Sequence, residues 1–169
     1  MKADVIVYSS QTGSTAQYAR MLSAKAGIPA YELKDALNKV DKETPVLFMS
    51  WLMAGKLVDC KKAFGKLNVQ GCCASCLNPM PQQADMTKNA CDIPDEIPLF
   101  TMMGAYHPDK LAGMQKLIMK LITKILVKKI LSADTQDEGQ AMMRDVLTNG
   151  GSFVCEERLR EAYAWLCEN

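Results

Sequence analysis

The segment Val5-Ile6-Val7-Tyr8-Ser9-Ser10-Gln11-Thr12-Gly13-Ser14-Thr15 decides the architecture. Ala3 to Tyr8 is a short apolar run with Val, Ile and Val in succession, which is how a strand buried on both faces of a parallel sheet reads. A polar turn follows. Ala16, Ala19, Met21, Leu22 and Ala26 then recur at helical spacing until Gly27 stops the helix. In an open parallel sheet, ligands bind beyond the carboxyl ends of the strands, and the loop from Ser9 to Thr15 occupies such an end.

The pattern continues along the chain. Strands are predicted at Pro29 to Leu33, Pro45 to Ser50, Val69 to Leu77 and Leu99 to Gly104. Helices are predicted over Gly55 to Leu67, Gln83 to Cys91, about Asp109 to Leu131, and Glu156 to Cys167. Alternating strands and helices predict a doubly wound α/β sheet. A length of 169 residues predicts a single domain over 1–169. The formal net charge of +1 argues against a nucleic-acid binder that relies on overall charge. Met1-Lys2 leads directly into the first strand, so no export signal is expected, and no apolar run is long enough to cross a bilayer. A cytoplasmic protein follows, with its seven cysteines reduced.

The loop itself carries chemistry. Backbone N–H groups at a helix start lack intrahelical partners, and the helix dipole favours an anion there. Gly13 permits close backbone approach, and Ser10, Thr12 and Thr15 offer hydroxyl donors. No Lys or Arg is present, so the cradle suits a terminal phosphate held by neutral donors. It lacks the lysine of a triphosphate loop and the three-glycine dinucleotide fingerprint. A plain helix cap would also explain a run of Ser and Thr before a helix.

Ser10-x-Thr12-Gly13-x-Thr15 after an amino-terminal strand resembles the flavodoxin phosphate loop, T/S-x-T-G-x-T. Gly104-Ala105-Tyr106-His107, leading into Met114 to Ile122, resembles the flavodoxin-domain subgroup that includes menaquinone-dependent protoporphyrinogen oxidase. Ser50 through Gly55, followed by Ala63-Phe64, resembles it too. Thr12 stands where that subgroup commonly carries an acidic residue, which sets this loop closer to ordinary flavodoxins. The resemblance implies a three-layer α/β/α sandwich with a five-stranded parallel sheet of order 2-1-3-4-5. It also implies FMN, with its phosphate on Ser10, Gln11, Thr12, Gly13, Ser14 and Thr15. The flavin ring would then meet Trp51, Leu52, Met53, Ala54 and Gly55, with Asn78 at its pyrimidine edge and Tyr106 near the ring. The flavin carries the electrons in such proteins, and no side chain need act as nucleophile or metal ligand.

The implied activity is electron transfer, or a protoporphyrinogen-oxidase-like dehydrogenation, with a redox protein or a quinone as partner. Two alternatives stay open: an NAD(P)H-dependent quinone reductase, and a non-flavin binding module that keeps the loop only as a helix cap. Cys72, Cys73 and Cys76 fall within a predicted strand, so alternation sends Cys72 and Cys73 to opposite faces, as buried thiols rather than metal ligands. His107 is the single histidine. In the Lys110–Lys129 helix, Lys116, Lys120, Lys124 and Lys128 recur every fourth residue beside a broad apolar face. That pattern fits a core helix with a solvated lysine face. It also fits contact with the inner face of a membrane.

Overall fold

The computed structural model describes residues 1–77, 82–107, 113, 117, 121, 123–125, 145–146 and 148–168. The chain divides into two compact units. The first comprises Met1–Gly104 and Val154–Asn169; the second is Ala105–Phe153, inserted between them.

In the first unit the elements run β1 (Val5–Tyr8), α1 (Ser14–Ala26), β2 (Ala30–Glu32), α2 (Leu33–Lys39), β3 (Pro45–Met53), β4 (Lys56–Leu57), α3 (Cys60–Phe64), β5 (Asn68–Cys76), α4 (Gln83–Cys91) and β6 (Leu99–Met103). A 3-10 turn at Glu156–Leu159 and helix α5 (Arg160–Cys167) complete it. The sheet reads β2-β1-β3-β5-β6 with every one of these pairs parallel, and β4 hangs antiparallel from β3. The α/β expectation holds in this coarse form. Strand count and chain-order numbering differ from the expected five strands in order 2-1-3-4-5, because short β4 intervenes.

Burial on both faces explains the apolar runs. Val5 and Val7 join Val46, Phe48, Cys72 and Ala74 in a core covered by Leu33 and Ala36 of α2 and Cys60 and Ala63 of α3. Ile6, Leu47, Met49 and Cys73 join Tyr18, Ala19 and Leu22 of α1 and Ala162 and Leu166 of α5 on the other face. Cys72 and Cys73 therefore point to opposite faces, as alternation predicted. Each large side chain buried in this way contributes about 1.5–3 kcal/mol. Gly27, at φ 70°, ends α1 in the left-handed conformation, and its N–H donates to the Ser23 carbonyl.

Several local expectations are corrected. The helix expected over Gly55 to Leu67 is confined to Cys60–Phe64. Leu33, expected to end the second strand, instead opens α2. Trp51 to Met53, expected as loop, extend β3. Ala54 (φ 50°) and Gly55 (φ 79°) then turn the chain directly back, with Met53 opposite Lys56. Positive φ at both central residues is the two-residue hairpin turn whose twist suits its strands. Most of the helix expected over 109–131 lies outside the described residues, though Gly113, Leu117, Leu121 and Thr123 to Ile125 are helical.

β5 carries an irregularity that matters for packing. Val46 pairs with Val69 but Leu47 pairs with Gly71, so Gln70 is an extra residue on β5. The shift turns Gly71 towards α5, where Trp165 lies over it. A Cβ on Gly71 would stand 2.6 Å from Trp165 Cη2. The indole also packs on Phe100, with ring centroids 5.9 Å apart. Lys2 adds a backbone bond to the Leu166 carbonyl (3.1 Å) and an ion pair with Glu168 (2.7 Å), so the two ends of the chain meet in one unit.

Burial also sets an alkaline limit. The fully buried Tyr18 hydroxyl donates to the Met103 carbonyl at 2.5 Å, and burial pushes its phenol up to about 12. Burial pushes the Cys73 thiol up to about 12, and burial with Cys91 alongside does the same for Cys60; burial raises Cys72 well above its ordinary value. The folded chain thus holds these protons more tightly than the unfolded chain. Their contribution to stability is complete below the unfolded values of 9.0 and 10.0 and is lost as pH rises through the folded ones. Urea unfolding at a series of pH values should show a midpoint that begins to fall above about pH 9, with the drop steepening above about pH 10. A flat midpoint across that range would contradict this placement of the thiols and the phenol.

Candidate functional site at the carboxyl edge of the sheet

The loop between β1 and α1 opens at Ser9, whose N–H donates to the Met49 carbonyl and keeps β1 in register with β3 to its end. Ser9 is buried, and its Oγ donates to Asp59 Oδ2 at 2.7 Å. Asp59 sits at φ 59°, just before α3, and its carboxylate makes no cap to that helix. An aspartate at this position ordinarily caps the following turn. Here it reaches across fifty residues of chain to tie the start of the loop.

Gly13 is the residue before α1, at φ 101° and ψ −15°, so the cap position carries no side chain of its own to cap the helix. That conformation favours glycine, and nothing lies within 4 Å of where a Cβ would stand. α1 has no acidic residue in its first turn. The cap position of α1 is thus a glycine and not one of the loop's Ser or Thr residues. Ser10 Oγ is buried with no hydrogen-bond partner. Leaving a buried hydroxyl unpaired costs about 1–3 kcal/mol, so such an atom calls for an explanation. Thr15 and Ser14 are buried at the helix start, Thr12 is half-buried, and Gln11 and Gly13 are exposed.

Neighbouring strand ends complete the edge. Ser50, fully buried on β3, is the second hydroxyl without a partner. Trp51 follows it, half-buried and paired in register with Ser75 of β5. Leu52 is half-buried against the α3 side, while Met53, Ala54 and Gly55 are exposed in the hairpin. Gly104 closes the end of β6: its N–H donates to the Cys76 carbonyl at 2.7 Å. A Cβ there would stand 2.4 Å from Ser75 Oγ and 3.8 Å from Ser14 Cβ. Gly104 thus lets β5, β6 and the first residue of α1 come together. The fold gathers Ser9 to Thr15, Ser50, Trp51, Asp59, Ser75 and Gly104 at one edge.

Asn78 lies outside the described residues. Tyr106 belongs to the second unit, in β7 (Ala105–Tyr106), which pairs antiparallel with β8 (Gly151–Ser152). It is buried there, and its hydroxyl shares a 3.1 Å hydrogen bond with Thr123 Oγ1. His107 is half-buried. Asp59, Ser50 and Ser75 were not singled out from sequence. No family model matches the chain, and neither does any curated protein.

Proposed function

We propose that the first unit is a flavodoxin-like α/β/α sandwich that binds FMN and works in electron transfer. The observation that carries this is the buried, unpartnered Ser10 Oγ in the loop that enters α1 through the positive-φ Gly13. A phosphate there would meet the amino end of the helix dipole and a buried hydroxyl lacking a partner. The residues present fit the group. Ser10, Thr12 and Thr15 would donate to phosphate oxygens, and Gly13 would let the ligand approach the backbone. Gln11 and Ser14 belong to the same loop.

Asp59 holds Ser9 and so fixes where the loop leaves the sheet. Ser50 offers a second unpaired hydroxyl within β3, next to Trp51. Trp51 would flank the ring, with Leu52 to Gly55 forming the rim of that hairpin. When bound, FMN supplies the hydride or electron transfer, and the protein's part is binding, stacking and tuning of potential. A redox protein or a quinone is the proposed partner, in the cytoplasm or at the inner face of its membrane.

Purified protein is expected to be yellow, or to take up added FMN with a change in flavin absorbance and fluorescence. A colourless preparation that fails to take up FMN refutes the proposal. Turnover of protoporphyrinogen with a quinone would assign the dehydrogenase role; its absence in flavin-loaded protein leaves the electron carrier.

A further inference from the structure

Leu117, Leu121 and Ile125 of the second unit are 71%, 62% and 59% exposed, and all three have helical backbone. Residues four apart lie on one face of a helix, and the helical period of this stretch in sequence puts these three exposed side chains on a single apolar stripe. An amphipathic helix would ordinarily turn such residues inward. Each follows a lysine in sequence: Lys116, Lys120 and Lys124. Lys124 is itself exposed. Between Asp109 and Asp134 the chain carries six lysines and no acidic residue.

We propose that this stripe docks on an anionic lipid surface, the three apolar side chains entering the interface and the lysines meeting the headgroups. A lipid surface asks for this combination: apolar penetration plus a cationic flank, with no matching socket. A second copy of the chain is the poorer occupant, since two segments that each carry six lysines and no acidic residue would repel each other. No helix among the described residues is long and apolar enough to cross a membrane, and the proposed contact is with the surface alone. It depends only on the second unit and stands or falls separately from FMN binding.

The test is cosedimentation of the full chain with vesicles of phosphatidylcholine, with and without phosphatidylglycerol, at low and high salt. Binding is expected only to the vesicles containing phosphatidylglycerol, and it should weaken as salt rises. Lys124→Ala should reduce it about fivefold, and Leu121→Gln with Ile125→Gln by more than about tenfold. These positions are exposed, so folding should survive; the lipid and salt dependence of the unaltered chain tests the proposal without them. Equal binding to both vesicle types overturns it, as does unchanged binding by the variants. No binding to either vesicle overturns it in favour of an acidic protein. Self-association abolished by the Leu121/Ile125 variant would overturn it in favour of a second copy.

Discussion

Replacing Thr12 and Thr15 together by alanine is expected to weaken FMN binding by about 100-fold to 10,000-fold. Each hydroxyl would donate to a charged phosphate, and a hydrogen bond to a charged group is worth about 1.5–3 kcal/mol. Two lost bonds thus remove about 3–6 kcal/mol, or two to four powers of ten in Kd. Fluorescence titration of both proteins with FMN measures the change. Thermal unfolding of the ligand-free variant separates lost binding from lost folding, because Thr15 is only 2% exposed and contributes to the helix start. Unchanged affinity in a folded double variant would mean that the phosphate lies elsewhere.

Gly71→Ala is expected to destabilise the first unit strongly. The new Cβ would stand 2.6 Å, 2.9 Å and 3.0 Å from three carbons of the Trp165 ring, so the indole must leave its seat between Gly71 and Phe100. Overpacking of this kind costs about 1–3 kcal/mol. Trp165→Ala alone should cost about 3 kcal/mol through lost aromatic packing. In the Trp165→Ala background, Gly71→Ala should be close to neutral, because the clash has gone. Urea unfolding of the four proteins gives the coupling. Additive losses would contradict the placement of α5 against this part of the sheet.

How much was legible in sequence depended on how local each feature was. β1 and α1 were readable because the Val-Ile-Val run, the glycine before the helix and the glycine ending it all lie within a few residues. α4 was readable for the same reason. α2 was not: its seven residues bury only Leu33 and Ala36, too few for a period to emerge. The β3–β4 hairpin escaped because its first turn residue is alanine, where an Asn or Gly would have announced positive φ. With the hairpin missed, Asp59 was read as the interior of a helix.

The Ser9–Asp59 bond could not be seen at all, since nothing local marks a partner fifty residues away. The unpaired hydroxyls of Ser10 and Ser50 are likewise properties of packing. Ser50 had been read as the end of a strand and the start of the resembling segment, with no role of its own. The bond that Tyr106 shares with Thr123 in the second unit, seventeen residues on, had no local mark either.

The loop of Ser10 to Thr15 as a phosphate seat is the central claim, and parallel titration with FMN and riboflavin tests it most directly. The two ligands share the flavin ring and the sugar chain and differ by the phosphate. FMN is expected to bind at least about 100-fold more tightly, with the difference largely lost in the Thr12/Thr15 double variant. Equal affinity of the unaltered protein for FMN and riboflavin would contradict the assignment.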